Sequence, residues 1–398
     1  MPVIAIVLFC HFLTAFTALG MPLFLPRMLT SLGLADSGYL VGAMFVLPTV
    51  CTALTAPWWG RFADRFGKKT SLLRAQAGLV LGFLLSGFAD SVWLFALGLM
   101  VQGVSGGTLA ASNAYLSRLY GGKALAHSLN LTQCSARLAL VCAPIVLGLF
   151  THLSEPLQIY RALALLPLLA LLICSFLPGD GDQAMPTAGA GPAADKADAP
   201  TRMQTGTEIG TGTAFSHLLW LQFLFCFAMV VTFPYFLPYS EQLGVGSDAL
   251  SGFYYSLPHL VYLLLAFHTK KLSLSPQLQS RLGLGLLGIS CLGQFLLPGS
   301  EGLLWLRLLF GLGIVLSYSG LHLLVSQSLN HKAAGLSFGR FDAWGKWAGV
   351  MAGLAASGVS QLGNLQWPFL LAALSCGAGL FVLIFSFKEV QDHACTVP

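Results

Sequence analysis

The chain has 398 residues, of which 56% are hydrophobic and only 9% charged. A soluble protein carries about 25% charged residues, so a water-soluble globular enzyme is excluded, whereas a bilayer absorbs about 20 apolar residues per crossing helix. The 20 Lys and Arg exceed the 15 Asp and Glu, leaving a formal charge of +5, which lies mostly in connections and orients a membrane chain rather than binding nucleic acid.

Apolar runs predict twelve spans, at 3–29, 38–60, 70–89, 91–119, 127–152, 157–177, 215–240, 249–268, 276–298, 302–329, 335–361 and 365–387. The first has no basic leader and no clear small-residue cleavage site, so it reads as a spanning helix and not as a removed signal peptide. Residues 178–214 are rich in Gly, Ala, Pro, Thr and Asp, lack aromatics and have no period, so they read as a disordered linker. The expected layout is an all-α integral membrane protein: a six-helix bundle at 1–177, the linker, a second bundle at 215–390 and a tail at 391–398. Connections after even spans hold Arg61, Arg65, Lys68, Lys69, Arg118, Lys123, Lys270, Lys271 and Lys332. The positive-inside rule then places both termini and the linker in the cytoplasm, and the chain is expected in the inner membrane. Eight of the nine cysteines fall in apolar spans without metal-ligand spacing and read as packing residues.

Between spans 2 and 3 stands a charged knot, Gly60-x-x-x-Asp64-Arg65-x-Gly67-Lys68-Lys69. It resembles the cytoplasmic signature of the major facilitator superfamily, in position as well as in residues. The resemblance implies two six-helix bundles that rock about a central cavity. It also implies a conformational latch at Gly60, Asp64, Arg65, Gly67 and Lys68, with Asp64 meeting the start of span 11. A helix N-terminus carries about half a positive charge and favours a carboxylate. The other reading of the knot is a tight turn with interfacial anchors. Three departures from the family pattern stand out. Leu99 occupies a span 4 position where exporters often carry Arg. Ala114 to Arg118 lacks the acid that would pair with Arg65. Cys142-Ala143-Pro144 to Gly148 keeps only part of the exporter signature of span 5.

The two halves echo each other at a shift of 209, which maps Lys123 onto Lys332, Ser128 onto Ser337 and Arg137 onto Lys346. Duplicated halves of this kind bind substrate between them near the midplane. A charge inside a span costs at least about 2.5 kcal/mol on insertion scales and usually faces a cavity. Arg137 in span 5, Arg307 in span 10, and Asp342 and Lys346 in span 11 are such charges. Asp342 and Lys346 are spaced i,i+4 and share a helix face; the same shift carries them onto Gln133 and Arg137. Arg137 and Lys346 are therefore expected as a cationic pair lining the cavity, with Arg307, Gln133 and Asn113 as further binding residues. Asp342 is the expected proton site and His11 a possible relay. The competing readings are a static Asp342–Lys346 bridge and packing histidines.

The function expected is a monomeric secondary transporter, without a cofactor and powered by the proton gradient. It would export a small, anionic organic solute, with siderophore-like metabolites as one case. A multidrug antiporter and an importer of organic acids or sugars are the alternatives, and no catalytic motif points to an enzyme.

Overall fold

The computed structural model describes residues 2–34, 38–120, 122–151, 155–179, 213–265, 268, 274–297, 299–328, 334–362 and 364–386. All regular structure among them is helical. A first run comprises α1 (Pro2–Gly20), the 3₁₀ turn η1 (Met21–Phe24) and α2 (Leu25–Ser31). It is followed by α3 (Gly38–Phe66), α4 (Lys68–Gly87), α5 (Val92–Val104), α6 (Thr108–Leu119), α7 (Gly122–Gly148), α8 (Gln158–Leu163) and α9 (Leu165–Ser175). After the linker come α10 (Thr213–Val230), α11 (Phe236–Gln242), α12 (Asp248–Leu265), α13 (Pro276–Leu296), α14 (Leu303–Ser328), α15 (Ala334–Leu362) and α16 (Trp367–Ser386).

Among the described residues, eight helical stretches are long and apolar enough to cross a membrane. The expected spans 7, 8, 9 and 11 are helical but fall short by that measure, so a count of twelve is not matched on length and apolarity alone. α10 stops four residues before Pro234. α12 and α13 carry buried polar groups such as Asp248, His259, Gln279 and Gln294, which lower their hydropathy while facing protein rather than lipid. The linker falls almost wholly outside the described residues, at 180–212.

The helices before the linker pack on one another, as do those after it, and two seams join the groups: α7 against α12 and α3 against α15. Both seams are tight at the end opposite the knot. At Gly252 a Cβ would strike the backbone of Pro144, so only glycine lets α12 approach α7 there. Gly353 and Gly42 make the equivalent approach between α15 and α3. The two contacts are related: a shift of 209 carries Pro144 onto Gly353 and brings Ala43 onto Gly252. Ser256 Oγ donates to Val141 O at 2.9 Å and Ser357 Oγ to Tyr39 O at 2.8 Å, stitching the same two seams. This end is closed.

The knot itself is the end of α3 and the start of α4. Gly67 sits between them at φ 98°, a backbone region that side chains avoid. Lys69 Nζ donates to Ser175 O at 2.7 Å and Leu177 O at 2.5 Å. It thereby places a cation on the C-terminal carbonyls of α9, where the helix dipole favours one. Lys68 Nζ reaches Ser117 Oγ at 3.3 Å.

Candidate functional site

The midpoint of the α7–α12 seam is built around Arg137. Its Nη1 donates to His259 Nδ1 at 3.2 Å, and its guanidinium lies 4.5 Å from the centre of the Tyr262 ring. Arg137 belongs to the first group of helices and both partners to the second, so this cation spans the divide. An arginine has no lone pair to give. Nδ1 of His259 must therefore be the acceptor and the imidazole neutral, with its proton on Nε2, a buried atom without a partner among the described residues.

From Tyr262 a ladder of rings continues across the second group. Tyr262 meets Tyr318 edge to face at 5.8 Å, Tyr318 lies 4.2 Å from His322, and His322 lies 5.5 Å from Phe341 at the start of α15. Tyr262, Tyr318 and His322 are half-buried. Gln133, one turn before Arg137 on the knot side, is exposed; Lys346 and Trp347, also exposed, lie beyond Phe341 along α15, toward the closed end. The two groups are thus closed on each other at the far end and joined again at Arg137, with Gln133 exposed one turn nearer the knot. At this junction Arg137 and Gln133 supply a cation and a hydrogen-bonding group, and Tyr262, Tyr318 and His322 an aromatic row.

The other expected residues are placed differently. Arg307 is fully buried inside the second group and does not line this space. Its Nε donates to Tyr254 O at 3.0 Å and its Nη2 to Tyr255 O at 3.1 Å, between the rings of Phe236 and Phe310. The reason lies in Pro258 of α12. A helical proline has no N–H for the carbonyl four residues back, which is Tyr254 O. Arg307 supplies the missing donor, so its cost of burial is offset by a helix that would otherwise hold an orphan carbonyl. Two aromatic faces add to this. The expected assignment of Arg307 to the substrate is corrected accordingly.

Asn113 accepts from Thr132 Oγ1 at 2.7 Å, tying α6 to α7 while remaining half-buried. His11 is buried, and its Nδ1 lies 3.1 Å from Ser135 Oγ, which donates in turn to Leu8 O. That makes His11 the donor in a tie between α1 and α7. Asp342 lies on α15, but its side chain is outside the described residues. Asp64 and Arg65 are exposed at the end of α3, and Asp64 has no hydrogen bond or ion pair among the described residues. Its expected partner, the start of span 11, has its side chains at 335–339 outside the described residues.

Two features escaped the sequence. Arg74, in span 3, stacks 3.5 Å over Trp59 and donates to Ser105 O at 2.8 Å, sealing the break between α5 and α6. Nothing in its local sequence set it apart from the other charges near the knot. At the closed end, Arg27 of α2 grips Asp248 of α12 with Nε at 3.1 Å and Nη2 at 2.9 Å, and Nη2 also meets Glu241. Asp248 is 1% exposed. A bidentate, half-buried pair across the two groups fastens the closed end.

Fold and site together define a polytopic helical membrane protein with two packed groups of helices joined along two seams. The model of the major facilitator superfamily matches residues 7–353, and the chain belongs to that family. The multidrug resistance protein MdtG of Proteus mirabilis (strain HI4320) is 32% identical over 152 residues, 37% of this chain and 38% of the relative. The class B tetracycline resistance protein of Escherichia coli is 27% identical over 168 residues, 41% of this chain and 42% of the relative. The matches therefore span about two fifths of these relatives. Among solved structures, a POT family transporter in complex with 5-aminolevulinic acid has a TM-score of 0.77 at 14% identity, over 97% of this chain and 96% of that one. The human organic anion transporter MFSD10 has a TM-score of 0.66 at 17% identity, over 96% and 98%. At such identities the likeness is one of fold.

Proposed function

We propose that the chain is a secondary transporter that moves a small organic anion out of the cell by alternating access, in exchange for protons. The observation that carries this is Arg137 at the junction of the two groups, with Gln133 exposed one turn away and a row of aromatic rings beside it. An anion with an apolar or aromatic body would place its carboxylate on Arg137 and its body on Tyr262 and Tyr318. Guanidinium suits a carboxylate better than an ammonium does, because it offers a planar fork of donors. Because Arg137 also holds His259 and Tyr262, an anion competing for it would loosen the α7–α12 seam. That links binding to the opening of the closed end.

Asp342 remains the proposed proton site. It is the acid one helical turn from Lys346, and an anion drawn to Lys346 would leave Asp342 easier to protonate. With its Lys- and Arg-rich connections, the knot end faces the cytoplasm. Asp64 and Arg65 would then engage when that side closes. Nothing at this junction selects a siderophore-like metabolite over another organic anion. The multidrug reading has its own support, the names of the relatives, and the aromatic row would serve lipophilic compounds.

The two substrate readings separate in everted vesicles holding a proton gradient. Adding an aromatic carboxylate should collapse the gradient in vesicles with the protein and not in those without it. A response to ethidium with none to carboxylates would favour the multidrug reading.

A further inference from the structure

A second cavity, of about 260 Å³, lies at the closed end beyond the seams. Both groups of helices wall it: Arg27 of α2 and Val41 of α3 on one side, Tyr235, Leu237 and Glu241 at α11 and Gln361 of α15 on the other. Its floor is apolar and its rim charged. The charges at the rim do not cancel. Arg27 spends Nε and Nη2 on the buried Asp248, and the same Nη2 touches Glu241. One cation therefore faces two carboxylates, and of these Glu241 is 41% exposed.

We propose that this cavity is an outer binding site for small amphipathic amines. The ammonium group would sit at Glu241, where the local charge is −1, and the body against Val41 and Leu237 beside the Tyr235 ring. An aromatic face favours a cation, and an apolar floor rewards a hydrocarbon body. The size restricts the ligand. Sites for drug-sized molecules start at about 300 Å³, so this one takes a single ring with a short amine arm. The ligand differs in sign from the anion proposed for the inner site, so the two sites can be told apart.

Because both groups supply its walls, the cavity exists only while this end is closed. An amine bound there would hold the closed form. That consequence rests on the alternating-access reading, whereas the binding does not.

The test uses the full chain, purified in detergent, with benzyltrimethylammonium as probe and benzoate as its counterpart, titrated calorimetrically. Benzyltrimethylammonium should bind, and Glu241→Gln should weaken it about tenfold. Glu241→Gln keeps the shape of a half-exposed side chain, and Leu237→Trp, which fills the cavity, should abolish binding as a second check. Absence of binding, indifference to both variants, or benzoate binding that depends on Arg27 and Glu241 would overturn the site. Labelling of Ser256→Cys, a seam position, should slow when the probe is present. Binding with unchanged labelling would overturn the hold on the closed form and leave the outer site standing.

Discussion

If Arg307 is present to serve the carbonyl orphaned by Pro258, its loss should hurt more while that proline remains. Arg307→Met removes the donors at 3.0 and 3.1 Å from Tyr254 O and Tyr255 O while keeping the apolar stem between Phe236 and Phe310. A hydrogen bond to a charged group contributes about 1.5–3 kcal/mol in soluble proteins. Inter-helix bonds inside membranes average about 0.6 and reach about 1.7 kcal/mol. Two such bonds put the cost of Arg307→Met at about 1–3 kcal/mol. Pro258→Ala restores the helix's own donor to Tyr254 O, so one of the two bonds becomes redundant. The double variant should then recover about 0.6–1.7 kcal/mol relative to the sum of the singles. The assay is a double-mutant cycle on unfolding of the purified protein in mixed micelles. Strict additivity would refute the repair of α12 by Arg307. Preserved stability with lost substrate binding in Arg307→Met would return Arg307 to the substrate.

Further outcomes follow from other contacts. Arg27→Gln removes the two Arg27 bonds to the buried Asp248, so Ser256→Cys in the α7–α12 seam should label about tenfold faster, the change of a 1.4 kcal/mol shift; an unchanged rate would remove Arg27 from the closure. Gly252→Val drives a branched side chain into the Pro144 backbone, so it should speed the same labelling and reduce transport, while an unaffected rate would mean that α12 does not need glycine there. Gly67→Ala, at φ 98°, should cost about 1–3 kcal/mol of stability, read as a lowered unfolding midpoint. Lys69→Met removes the donor from Ser175 O and Leu177 O and should cost about 0.3–1 kcal/mol by the same measure.

The sequence carried what is local. Long apolar runs announced the membrane, the charges of the knot marked a boundary, and Gly67 fell where the turn demands glycine. The shift of 209 was readable as well, and it reappears in space as the paired Pro144–Gly252 and Gly353–Gly42 approaches. Arg137 was found as a charge that must face something other than lipid. What it faces was not readable, because His259 lies 122 positions away on the other side of the linker. Arg307 shows the same limit in the opposite direction. Its charge signalled a cavity, yet its environment is set by a proline on another helix, and no rule of spacing within span 10 reveals that. Arg27 and Asp248, 221 positions apart, gave no sign of each other until the fold brought them together. Asp342 and the partner of Asp64 stay as the sequence left them, outside the described residues.

The central claim is that an organic anion meets Arg137 where the two groups of helices join. Its most direct test is transport of a fluorescent aromatic carboxylate into proteoliposomes under an imposed proton gradient, comparing the wild-type chain with Arg137→Gln and Arg137→Lys. Arg137→Gln should abolish gradient-driven accumulation and Arg137→Lys should retain a fraction, about a tenth if the planar fork matters as bidentate pairing implies. Accumulation by Arg137→Gln equal to that of the wild type would contradict the claim.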